Sequence, residues 1–251
     1  ARVAAPTASP RSIAPPLRLA GGDHATAVMC LPALVPPARP TVFTPFANTL
    51  SASCDVWAVP HPGYANHEAL PVDRKTLLHL HADTVLRHAA GRDLILVGYS
   101  SGGWVAHELA RHLEHLGTSP KALVLLDTYL SDDLTGTVQS AFFRAWSHML
   151  PALRDADSEL TALPWYLELF ATWAPQPIST PTLLVQSSVA MPGIDSAAWQ
   201  ARWTGPHDLA PVAGDHFTMM TTHGAATASA VHDWLAHLPS APPPGAPLRC
   251  L

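Results

Sequence analysis

The chain has 251 residues, of which 48% are hydrophobic and 13% are charged, where ~25% charged is usual. A large core is within reach, and charge-driven disorder is excluded. With 14 Lys and Arg against 19 Asp and Glu, the net charge of −5 lacks the basic footprint that nucleic-acid binding requires.

Residues 1–23 are rich in Pro, Ala and Ser and read as a linker without the apolar stretch of a signal peptide. Residues 24–238 read as one domain. Within it, 25–31 is a short apolar strand, 40–50 is helical in pattern and 54–59 is a strand. An amphipathic helix is expected over 73–90, with Gly91 just past its end. The run 93–97 is a buried strand, 102–116 a helix stopped by Gly117, and 121–126 another buried strand. The alternation breaks over 131–177, an aromatic, helix-like stretch. It resumes with a strand at 182–186, a short helix near 196–203, a strand at 208–212 and a helix from about 225 to 238. Residues 239–251 read as a Pro/Ala-rich tail. Apolar runs of this kind are parallel strands covered on both faces. The expected class is therefore α/β, a mostly parallel central sheet with helices on both faces and a helical insertion at 131–177. Three cysteines, Cys30, Cys54 and Cys250, make no disulfide framework and fit a reducing compartment. No apolar run approaches the ~20 residues of a membrane span.

One motif carries chemistry. The strand Leu94-Ile-Leu-Val97 runs into Gly98-Tyr99-Ser100-Ser101-Gly102-Gly103, and a helix follows. This is a G-x-S-x-G turn in the strand–turn–helix context it requires. The turn is so tight that flanking side chains would clash. It strains the central Ser100 and pushes its hydroxyl out of the sheet edge. The following amide, that of Ser101, points at a developing oxyanion.

A nucleophilic serine needs a base and an orienting acid. Of 15 histidines, His216 lies in a loop after the last expected strand, where this class of fold places its base. His79, His81, His88, His107, His112, His115, His232 and His237 lie on helices and read as surface or interface residues. His107 and His112 look like a zinc motif but are five apart, which turns the second by ~140° around the helix and prevents shared coordination of a metal. For the acid, Asp127 ends a strand on the side of the sheet that carries Ser100. Asp195 competes from one strand later, and Asp132, Asp133 and Asp215 are further candidates.

Five segments, in order, resemble the terminal thioesterase domain of modular type I polyketide synthases, an α/β-hydrolase family, from about 27 to 238. Trp57-Ala-Val-Pro-His-Pro-Gly-Tyr64 followed by Glu68-Ala-Leu-Pro71 is similar to its V-x-A-x-P-x-P-G-Y segment. Gly98 to Gly103 matches its serine turn. Leu125-Leu-Asp127-Thr-Tyr129 matches the segment that carries its triad acid. Pro181-Thr-Leu-Leu-Val185 and Gly214-Asp-His216-Phe-Thr-Met219 match the rest. The resemblance implies a Ser100–His216–Asp127 triad, a lid over 131–177, and an acyl chain delivered on the phosphopantetheine arm of an upstream acyl carrier protein. It implies no cofactor bound by the domain itself, no nucleic-acid or membrane partner, and residence in the bacterial cytoplasm. Tyr99, Phe142, Trp146 and Tyr166 are the candidates for lining the substrate channel.

The chain departs from the pattern in three places. Tyr99 stands where His is usual before the nucleophile. Pro32-Ala33-Leu34 replaces Ala-Gly-Thr in the oxyanion loop, so the second oxyanion amide is that of Ala33 or Leu34. Residues 1–23 lack the pattern of dimerising helices, so a homodimer finds no support there. Rival readings are a stand-alone editing thioesterase, an ordinary carboxylesterase, and a binding module on an inactive hydrolase scaffold.

Overall fold

Strands β2 (Thr26–Leu31), β4 (Asp93–Tyr99) and β5 (Ala122–Leu126) are apolar at nearly every position, because each is covered on both faces. With β1 (Leu17–Ala20), β3 (Asp55–Ala58), β6 (Thr182–Ser187) and β7 (Asp208–Val212) they form one sheet in the order β1-β3-β2-β4-β5-β6-β7. All neighbours are parallel except β1, which pairs antiparallel with β3. The computed structural model describes residues 6, 10, 12–35, 38–64, 68–130, 133, 136–149, 157–192, 194 and 199–238, without the side chains of 137, 138, 145, 146, 148, 149 and 157–160.

Alternate residues of each strand face opposite cores. Met29, Leu31, Leu96, Leu123 and Leu125 pack against helices α2 (Arg74–Ala89) and α3 (Gly102–His115). Cys30, Ile95, Val97, Val124 and Leu126 face α1 (Thr44–Leu50) and α6 (Gly224–His237). Helix α2 starts where the Asp73 carboxylate accepts from the Thr76 amide at 2.7 Å, and it ends in two left-handed residues, Ala90 and Gly91. This is the α/β-hydrolase arrangement expected from the sequence. Among the described residues no helix is long and apolar enough to cross a membrane.

Three expectations are corrected. Residues 17–20 are not linker but the edge strand β1. Arg18 within it and the Gly22 amide just beyond it bind the buried carboxylate of Asp55, which Arg92 also grips at 2.6 Å. The Pro- and Ala-rich surroundings conceal a four-residue strand whose anchor lies on β3. Residues 199–203 are not helical; the rest of the helix expected near 196–203 lies outside the described residues. The segment 131–177 is divided between two sites. Helix α5 (Asp157–Phe170) buries Ala162, Tyr166 and Phe170 in the core beside α2 and α3. Helix α4 (Gly136–Met149) instead packs Ala141 and Phe142 against Tyr129 and Phe217 above the C-terminal sheet edge.

Candidate active site

Ser100 follows β4 with φ of +54°, in the left-handed region that costs a non-glycine residue about 1–2 kcal/mol. Its own amide is held by the Leu126 carbonyl of β5 at 2.9 Å. The tightness of the turn explains its glycines. A Cβ on Gly98 would stand 2.4 Å from the Gly103 Cα, and one on Gly102 would stand 2.2 Å from the Pro32 carbonyl oxygen. Ser100 is left half-buried.

The His216 ring spans the gap between Ser100 and Asp127. Its Nε2 lies 3.1 Å from Ser100 Oγ, and its Nδ1 lies 2.8 Å from Asp127 Oδ2. A carboxylate can only accept, so Nδ1 carries the proton and Nε2 is free to accept the serine's. Asp127 is wholly buried directly after β5, in a left-handed conformation that Asp tolerates. Its other oxygen, Oδ1, accepts from the Ser187 amide at 3.0 Å, and the Ser187 hydroxyl, at the end of β6, lies 3.1 Å from Oδ1 and 3.2 Å from Oδ2. Asp215 plays a different part. Its Oδ1 accepts from the amides of Phe217 and Thr218 and from the Thr218 hydroxyl, tying the loop that carries His216. Partial burial would raise its pKa, but these bonds outweigh that and hold it below the usual carboxylate range.

The structure therefore brings together Ser100, His216 and Asp127, as the sequence predicts. Asp132 and Asp195 lie outside the described residues, and Asp133 is half-buried beyond β5. The channel candidates fare differently. The ring centres of Phe142 and His216 lie 4.7 Å apart with the rings nearly perpendicular. The side chain of Trp146 lies outside those described. Tyr166 is no channel residue: it is fully buried, with its hydroxyl on the Pro62 carbonyl. Tyr99 is likewise buried, behind the His216 ring. It stacks on His216 at 5.2 Å and donates to the His216 carbonyl at 2.8 Å. Burial, with Asp127 and Asp215 nearby, pushes its phenol well above the ordinary value, so it stays a donor. Tyr99→Phe leaves that carbonyl unpaired. The expected loss is about 1–2 kcal/mol of stability, read as a lower Tm by calorimetry, and an unchanged Tm would show the bond to be idle.

Sequence reasoning missed Ser187, whose signal was its position at a strand's C-terminal end beside β5. It also misplaced two histidines: His81 and His107 are buried. His79, His115, His232 and His237 are exposed, and His88 and His112 are half-buried. The oxyanion loop is more constrained than its sequence suggests. The Leu34 amide donates to Ser101 Oγ at 2.9 Å, the Leu34 carbonyl accepts from the Tyr64 hydroxyl, and the Pro32 carbonyl accepts from His61 Nε2 at 2.8 Å.

The thioesterase domain family model matches residues 28–235. The chain is 39% identical over 235 residues to polyketide synthase GfsE of Streptomyces halstedii, covering 90% of this chain and 6% of that protein. It is 37% identical over 231 residues to the spectinabilin polyketide synthase system protein NorC of Streptomyces orinoci, covering 88% of this chain and 10% of that protein. The chain thus spans a tenth or less of the length of these relatives. Among solved structures, the type II thioesterase BorB from the borrelidin biosynthetic cluster is similar with a TM-score of 0.64 at 24% identity, covering 90% of this chain and 99% of that one. The Vlm2 thioesterase domain bound with a dodecadepsipeptide is similar with a TM-score of 0.62 at 22% identity, covering 89% and 98%. Those two likenesses bear on the fold, which they place among thioesterase domains. With a family model over most of its length, the chain belongs to the thioesterase domain family.

Proposed function

We propose that this domain releases a full-length polyketide chain from an acyl carrier protein through an acyl-Ser100 intermediate. The observation that carries the reading is the continuous relay Ser100–His216–Asp127 at the mouth of the sheet. Similarity to two modular synthases, each far longer than this chain, supports a domain that acts on a tethered acyl chain.

The acyl group arrives as a thioester on the carrier's phosphopantetheine arm. His216 Nε2 takes the Ser100 proton as Oγ bonds to the thioester carbonyl carbon. Asp127 stabilises the imidazolium and keeps its tautomer. The Ser101 amide and one loop amide hold the oxyanion, each donor worth about 3 kcal/mol in comparable sites. Collapse breaks the C–S bond, and the departing sulfur takes the proton from His216. In the second half, water or a hydroxyl of the chain gives its proton to Nε2 and attacks the ester. The Ser100 oxygen then leaves and recovers that proton. Water yields a linear acid; an internal hydroxyl yields a macrolactone. Helix α4, with Phe142 against His216, serves as the part of the 131–177 lid that faces the reacting atoms. This wall excludes bulk water, and the fold of the acyl chain within it decides between the two products.

The test is to give the domain an N-acetylcysteamine thioester of a long hydroxylated acyl chain. Free thiol should appear together with acid or lactone, and a fluorophosphonate should add once, at Ser100, by intact mass. Neither thiol nor adduct would favour the binding-module reading.

A further inference from the structure

Behind the oxyanion loop lies a pair of buried histidines that the relay does not use. His61 Nε2 is 2.8 Å from the Pro32 carbonyl oxygen, and His61 Nδ1 is 3.1 Å from His81 Nε2. Both side chains are sealed from solvent. The proton positions follow from valence. A carbonyl only accepts, so the His61 proton is on Nε2. Its Nδ1 is then bare and must receive the proton of His81 Nε2. That leaves His81 Nδ1 bare, and among the described residues it has no partner.

We propose that His61 and His81 are positioning residues for the oxyanion site, holding the Pro32–Ala33 peptide so that the Ala33 amide is the second oxyanion donor. The inference rests on the acyl-transfer reading above. The Pro32 oxygen and the Ala33 N–H belong to one planar trans peptide and point to opposite sides of it. Fixing the oxygen through His61 therefore fixes the direction of the N–H. Of the two amides that the sequence left open, Leu34 is already spent on Ser101 Oγ. The Ala33 amide has no partner among the described residues. Placement agrees: Leu31 pairs with Gly98 across β2 and β4, so the loop and the serine turn leave the sheet side by side.

The chain of bonds also has a direction. His81 donates to His61, His61 donates to the Pro32 carbonyl, and the N–H of the same peptide points the opposite way from that carbonyl. Each group that accepts becomes a better donor at its other end, so the series strengthens Ala33 as negative charge develops. This works only with neutral rings. Burial, against a smaller upward push from the bond to Pro32, lowers His61 to a pKa of about 4. Burial and the neighbouring His61 lower His81 well below the ordinary value.

The experiment combines two variants with a measurement on the unaltered protein. H61L is expected to lower kcat about 100-fold through a misaligned donor, with KM unchanged. H61Q, whose amide nitrogen reaches the place of Nε2, should recover most of that loss. Nitrogen-15 spectra of the unaltered domain at neutral pH should show both rings neutral with the proton on Nε2. Full kcat in H61L overturns the proposal, as does a charged or Nδ1-protonated His61, a result that depends on no variant folding. Absence of thioester turnover in the unaltered domain would sink the acyl-transfer reading instead, and the spectra would still decide the histidine tautomers.

Discussion

Replacing Ser100 with glycine or alanine is expected to remove acyl transfer while the two variants differ in stability. Both lose the hydroxyl that His216 Nε2 reaches. The fall in kcat should be on the order of 10⁶-fold, by analogy with other serine triads, and the fluorophosphonate adduct should vanish. Stability separates them because position 100 has φ of +54°. Alanine keeps the strain of a left-handed residue; glycine does not. The glycine variant should therefore be the more stable by about 1 kcal/mol, after allowing for its floppier unfolded chain. Thermal unfolding of the two side by side reads this difference. Equal Tm values would mean that the serine turn stores no strain, and residual adduct elsewhere would move the nucleophile.

Asparagine at position 127 should lower kcat by about 10⁴-fold with the fold intact, the loss seen where a triad tautomer is reversed. The surroundings of Asp127 force that reversal. The Ser187 amide donates to Oδ1 at 3.0 Å, while its hydroxyl lies within reach of both oxygens, so an asparagine must place its oxygen at Oδ1. Its amide nitrogen then takes the place of Oδ2, 2.8 Å from His216 Nδ1. Nitrogen donates to nitrogen, the imidazole proton moves to Nε2, and the base can no longer accept from Ser100. Steady-state turnover on a thioester, with the histidine tautomer read by nitrogen-15 spectra, checks both steps. Undiminished turnover in Asp127→Asn would reject Asp127 as the acid and return the choice to Asp195.

The residues of the relay were legible before the fold because their signals are local. A strand, a glycine-flanked serine and a helix occupy consecutive residues, and the backbone constraint that needs those glycines acts within the turn. Asp127 and His216 each sit at the end of an apolar run, and in a parallel sheet such ends converge on one edge. Tyr99 and Tyr166 show where this kind of reading stops. An aromatic beside the motif and one in the 131–177 insertion read as channel wall, yet each is buried with its hydroxyl on a distant carbonyl, 117 and 104 residues away in sequence.

Strand periodicity, the serine turn and the order of its partners were thus determined by the sequence alone, since each depends on neighbours a few residues apart. How Ser187 meets the Asp127 carboxylate, which loop amide is left unpaired, why His61 and His81 are buried, and where β1 anchors were decided only by tertiary structure. Those outcomes depend on which groups are brought within hydrogen-bond reach after water is excluded. A buried polar atom must then find a partner wherever the chain happens to pass, and no pattern along the sequence records that choice.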